Sequence, residues 1–205
     1  MRYLELKEHF KEFVLFSLKD IKKIDPGFHR RRFGDWKEKG YIKNIINAYY
    51  VFADKNPDEK SLFFIANRIY SPSYISLETA LSYYGFIPEA VFAVTAVSTR
   101  KTKTFSTSYG EMIYKHIHPR YFFGFDLVEF EGFRFKIASP EKAILDFLYL
   151  NPGLRSRGDM EELRINTEEV MERIDREKFS AYLQGFGKQA LRDRAGVWLE
   201  VMDRA

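Results

Sequence analysis

The sequence predicts an α+β fold: an N-terminal winged helix-turn-helix, then a larger domain with a mainly antiparallel sheet packed by helices, ending in a helical C-terminal tail. Three observations lead there. Apolar residues at helical spacing, punctuated by cap and stop residues, fill the first forty positions. Runs rich in β-branched and aromatic residues follow at 41–52 and recur between 91 and 137. Helical periodicity then returns from Ser139. The polar stretch Asp54-Lys55-Asn56-Pro57-Asp58 is the natural boundary, giving residues 1–56 and 57–205, with the tail from about residue 151.

Leu4, Leu6, Phe10, Phe13 and Val14 recur at roughly helical spacing and predict an amphipathic first helix. Ser17 suits the N-cap of a short second helix, Leu18 to Lys23, with Leu18 and Ile21 facing inward. Asp25-Pro26 predicts the opening of a third helix, since Asp caps well and Pro is pre-organised for the first position; Gly40 is its stop. On a helical wheel this third helix turns Phe28, Phe33 and Trp36 to one side and Arg30, Arg31, Gly34 and Lys37 to the other. His29 falls at the apolar boundary. Tyr41–Ile46 and Tyr49–Phe52 then read as a two-stranded ribbon around an Asn47-Ala48 turn. Three short helices and a ribbon are the layout in which the third helix enters the major groove of DNA. The DNA-facing set is Ser17, Arg30, Arg31, Arg32, Lys37, and on the wing Lys43 and Asn44.

Past the boundary, Leu62, Phe63, Ala66 and Ile69 repeat at helical spacing, and Ser76 opens a helix from Leu77 to Tyr84 that Gly85 stops. From Val91 the period falls to two, predicting a strand apolar on both faces until Thr99. Arg100-Lys101-Thr102-Lys103-Thr104 reads as a loop or hairpin tip, with further strands at Gly110–His118 and Tyr121–Phe125. Residues 127–137 form a self-consistent hairpin about Glu131-Gly132. It pairs Phe130 with Phe133, Val128 with Phe135 and Glu129 with Arg134. Ser139-Pro140 opens a helix that turns Ile144, Phe147 and Leu148 inward, and Asn166 with Glu169 resembles a capping box.

Charge singles out the amino-terminal quarter. The 205 residues carry a net +4, yet residues 1–56 hold 13 basic and 8 acidic side chains while the other two segments are close to neutral. Phosphate contacts dominate nucleic-acid affinity, so a nucleic-acid surface belongs in that quarter. With no cysteine, disulfides, thiol catalysis and cysteine-ligated zinc are excluded. The start, MRYLELKEHF, lacks a signal-peptide core, and no apolar run reaches the ~20 residues of a membrane span, so a cytoplasmic protein is expected.

Catalytic chemistry finds little support. His116 and His118 stand two apart on a predicted strand, but no cysteine or nearby acid completes a metal-ligand set, and no metal or other cofactor is expected. The glycines Gly132, Gly153 and Gly158 are isolated, which leaves no phosphate-binding loop. Glu141-Lys142 after a proline reads as a helix start rather than a catalytic pair.

The stretches Tyr74–Leu81 (YISLETAL), Val94–Lys103 (VTAVSTRKTK) and Ser139–Asp146 (SPEKAILD) resemble the AbiEi family of antitoxins from bacterial type IV toxin–antitoxin systems, over about residues 60–150. The resemblance implies a winged helix that represses its own operon at operator repeats, and a second domain that opposes a nucleotidyltransferase-like toxin without catalysis. It also implies a monomer or weak dimer, with direct toxin contact left open. Arg100, Lys101 and Lys103 become candidates for a second basic surface, for toxin neutralisation or for flanking DNA. The rival expectations are a stand-alone winged-helix regulator whose second domain senses a ligand or protein, an enzyme that modifies a toxin, and a pure protein-binding module.

Overall fold

The computed structural model describes residues 1–46, 48–88 and 92–204. Its N-terminal part is built from α1 (Tyr3–Phe10), β1 (Phe16–Ser17), α2 (Leu18–Ile24), α3 (Arg32–Glu38), β2 (Ile42–Ile46) and β3 (Tyr49–Phe52). The ribbon is a three-stranded antiparallel sheet, β1-β3-β2, one strand more than the sequence suggested. Asn47 of the expected turn lies outside the described residues.

This small sheet has two apolar faces, and they belong to different cores. Ile42, Tyr50 and Phe52 join Phe16, Leu6, Phe10, Ile21, Phe28, Phe33 and Trp36 in the N-terminal core. Ile45 and Val51 point the other way, into the core of the larger part, which Ile46 and Tyr49 also contact. Alternation along the strands puts Ile45 and Val51 on the second face, and a bulge between Asn44 and Ile46 brings Ile46 opposite Tyr49 on that same face.

Two expectations for the amino terminus are corrected. α1 stops at Phe10, leaving Phe13 beyond it and exposed, and Leu4, though within α1, lies off the buried face of Leu6 and Phe10 and is exposed as well. The third helix begins at Arg32, not after Asp25, and residues 25–31 form turns. Asp25 is drawn into other work: its N–H donates to the Ile21 carbonyl, closing α2, and its carboxylate takes the N-terminal ammonium at 2.7 Å. Gly40 does end the helix, at a φ of +68° that suits glycine.

The larger part holds α4 (Glu59–Ile69), β4 (Ser73–Ile75), α5 (Leu77–Tyr83), β5 (Val94–Ser98), β6 (Lys103–Thr107), β7 (Gly110–His116), β8 (Phe125–Phe130), β9 (Phe133–Ala138) and α6 (Pro140–Leu150). Its sheet runs β6-β7-β5-β4-β9-β8 and is mixed: β6/β7, β4/β5 and β8/β9 are antiparallel, while β5/β7 and β4/β9 are parallel. The tail supplies α7 (Arg157–Glu161), α8 (Thr167–Arg173), α9 (Arg176–Phe186) and α10 (Gln189–Met202). α6 packs against α5, α9 and α10, and α4 lies across β9, β4 and β5. Among the described residues no helix is long and apolar enough to cross a membrane.

The β8/β9 hairpin has the expected register throughout, with the Arg134–Glu129 ion pair at 3.0 Å and positive φ at both Glu131 and Gly132. Such a turn matches the strand twist. Elsewhere the strands differ. Val91 lies outside the described residues, Phe92 is 93% exposed, and β5 starts only at Val94. Residues 99–102 are a connection from β5 to the sheet edge, not a hairpin tip, because β7 separates β5 from β6. His118 and Tyr121 leave the sheet: Pro119–Tyr121 is a short 3-10 turn, which His118 Nδ1 caps by accepting from the Arg120 N–H at 3.3 Å.

Candidate nucleic-acid interface

The site rests on how firmly α3 is held. Ser17 is 8% exposed and acts wholly as a cap: its hydroxyl donates to Asp20 Oδ2 at 2.6 Å and accepts from the Asp20 N–H at 3.4 Å. Burial works against the Asp20 charge, but the hydrogen bonds from Ser17 and Lys23 prevail and hold its carboxyl below the usual range. Ser17 thus fixes α2 and offers no free group to DNA.

Between α2 and α3 the chain turns through successive i to i+3 hydrogen bonds. Arg32, Phe33 and Gly34 N–H groups donate to the carbonyls of His29, Arg30 and Arg31 at 3.1, 3.0 and 2.9 Å. Arg30 and Arg31 therefore sit on the turn that leads into α3 rather than within its barrel. Below them an aromatic cluster anchors the inner side. Phe28 lies 5.4 Å from both Phe33 and Trp36, and Phe33 stacks on Tyr50 of β3. His29, expected at the apolar boundary, is exposed.

Outward, Arg30, Arg31 and Lys37 are exposed and carry no ion pair among the described residues. Arg32 is exposed too, but its guanidinium donates to the Met1 carbonyl and ties down the amino terminus. Lys43 is exposed on β2, the outer strand of the ribbon. Asn44 Nδ2 donates to the Tyr49 carbonyl at 3.0 Å, so Asn44 braces the wing.

From β3 the ribbon reaches the larger part. Tyr49 donates its hydroxyl to the Arg68 carbonyl at 3.3 Å, and two residues on, Tyr70 donates to the Lys101 carbonyl at 2.8 Å. Arg100 places its guanidinium 4.2 Å over the Tyr70 ring. Its N–H donates to Ser98 Oγ at 3.1 Å, and its carbonyl is hydrogen-bonded to His116 Nδ1 at 2.9 Å. The 99–102 connection is thereby braced through its backbone and the Arg100 side chain, which also donates to the Ser71 carbonyl at 3.4 Å, while Arg100, Lys101 and Lys103 are all exposed. Arg68, near the end of α4, is a further exposed cation beside the ribbon.

The three stretches quoted in the sequence meet in the interior. Asp146 and Lys142, one turn apart on α6, are both fully buried and paired. Tyr74 and Ser76 donate their hydroxyls to Asp146 Oδ2 at 2.8 and 3.0 Å, and Lys142 Nζ donates to the Tyr74 oxygen at 2.9 Å. Thr95 Oγ1 donates to the Ser76 carbonyl at 2.7 Å. Burial pushes Lys142 down and Asp146 up, and it carries the Tyr74 hydroxyl well above its ordinary value. The rings of Tyr74, Phe123 and Phe186 surround the ammonium. Closed to solvent and satisfied internally, the network clamps β4 to α6 and presents no group to a substrate.

Ser139 caps α6 as expected, whereas Ser76 makes no cap bond: the Thr79 N–H it would accept donates instead to Thr95 Oγ1 at 3.0 Å, and the Ser76 hydroxyl donates to Asp146. Glu141 is buried as well, accepting from Ser139 Oγ at 2.8 Å and pairing with Lys178 at 3.0 Å. Among the described residues no three His, Cys, Asp or Glu side chains gather as a metal-ligand set. Compared with known proteins, the chain matches no family model and no curated protein.

Proposed function

We propose that the chain is a winged-helix autorepressor that binds operator DNA, and that it serves as the antitoxin opposing a nucleotidyltransferase-like toxin. One observation carries the DNA-binding half: Arg30 and Arg31 on the turn into α3, and Lys37 on α3 itself, stand exposed and without ion pairs among the described residues, on the outer side of a unit whose inner side is anchored by Phe28, Phe33 and Trp36. Cations aimed at solvent from a rigid support are what phosphate binding requires. Arg30 and Arg31 enter the groove with the start of α3, Lys43 meets backbone phosphate from the wing, and Arg100, Lys101 and Lys103 form the second basic surface.

The antitoxin half rests on the resemblance of Tyr74–Leu81, Val94–Lys103 and Ser139–Asp146 to that family. The convergence of these stretches on one buried clamp supports treating them as a single motif. Footprinting of the chain on the DNA upstream of its own gene, paired with growth rescue when a neighbouring nucleotidyltransferase is expressed, tests both halves. Protection without rescue leaves a plain winged-helix regulator, a reading that the apolar cavity of the tail also favours.

A further inference from the structure

The tail contains a pocket that DNA binding does not use. α8, α9 and α10 surround a cavity of about 150 Å³. Its floor is Val170, Phe179, Trp198 and Met202, all buried, with Phe179 stacked on Trp198 at 5.5 Å. Protein interiors pack at crystal density, and wall atoms facing an empty space forgo their contacts. An apolar space of this size accepts a benzene-sized guest.

The mouth has different chemistry. Arg176 and Ser180, one turn apart on α9, are exposed at the edge of the cavity. Arg176 pairs with Asp203 at 2.6 Å, but both side chains are more than half exposed, at 58% and 51%. Exposed pairs of this kind contribute little and exchange readily. A ligand carboxylate could take the guanidinium in the two-point geometry that Arg favours, with the Ser180 hydroxyl as a further donor.

We propose that this pocket binds a small apolar monocarboxylate, its aryl or branched-alkyl body on the Phe179–Trp198 floor and its carboxylate on Arg176 and Ser180. The site lies in the tail, apart from α3 and the wing, so the proposal holds or fails independently of the DNA-binding one.

Phenylacetate titrated into the full chain provides the test, with Trp198 emission and calorimetry as readouts. Saturable binding is expected, with half-saturation on the order of 0.1–1 mM. Arg176→Gln is expected to weaken phenylacetate about tenfold while leaving benzyl alcohol, the neutral analogue, unchanged. Ile174→Trp fills the cavity and is expected to abolish binding of both at an unchanged or higher melting temperature. Absence of saturation up to about 10 mM would overturn the site. Equal phenylacetate affinity in wild type and Arg176→Gln, or benzyl alcohol binding as tightly as the acid, would overturn the carboxylate assignment.

Discussion

Phe33 of α3 lies flat on Tyr50 of the wing, with ring centroids 4.1 Å apart and planes within 9° of parallel. This contact makes the third helix and the ribbon one rigid unit. Phe33→Ala removes it together with the Phe28 and Trp36 edges, so a loss of about 3–5 kcal/mol is expected. Urea unfolding measures that loss, and DNA affinity should fall with it even though no cation has been touched.

Gly34 separates stability from binding. It sits within α3, and an added Cβ would meet no atom within 4 Å. Gly34→Ala should therefore stabilise the helix by about 0.5–1 kcal/mol. The same methyl group would stand on the face proposed for DNA, beside the cations, and should lower operator affinity. A higher melting temperature with weaker binding is the expected pair of results.

Asp20 gives the cap a pH signature. Its folded pKa lies below the ordinary 3.8, so above that value the unfolded chain binds the proton more readily. The cap's contribution is complete at neutral pH and disappears as pH falls through the folded pKa. Asp20→Asn should lower stability at pH 7 by less than about 1 kcal/mol, since the group is partly exposed, and with it the melting temperature. Melting curves taken from pH 7 downward should show the gap between mutant and wild type closing below 3.8.

The clamp on α6 should behave as a buried pair. Lys142→Met leaves Asp146 enclosed and uncompensated, which costs about 3–5 kcal/mol. The double variant Lys142→Met, Asp146→Leu should recover much of that loss, as apolar replacements of buried pairs do. Denaturation of the single and double variants decides it; a double variant as unstable as the single one would show that the clamp's geometry, and not its charge, holds β4.

What the sequence made legible was mostly local. The Ser17 and Ser139 caps, the Gly40 stop and the β8/β9 register all follow from residues within a few positions of one another. What stayed hidden depended on distant partners. Asp25-Pro26 has the chemistry of a helix start, but the N-terminal ammonium, far off in sequence, claims the carboxylate. Ser76 has the chemistry of a cap, but Thr95, sixteen positions beyond Thr79, takes the Thr79 N–H that the cap would bind. The parallel pairs of the sheet were unreadable for the same reason, since they join strands whose connections cross over others. In the candidate site, Arg30, Arg31, Lys37 and Lys43 could be picked out from periodicity and charge. The place of Arg68 beside the wing could not, because it depends on Tyr49 reaching α4.

The exposed cations ahead of and along α3 are the centre of the account, and a salt titration addresses them most directly. Binding of upstream duplex DNA should be followed by fluorescence anisotropy across a range of salt concentrations, for wild type and for Arg30→Ala, Arg31→Ala. The double variant should unfold like wild type, bind more weakly, and lose about two units from the slope of log affinity against log salt. An unchanged slope with native stability would contradict the assignment of this face to DNA.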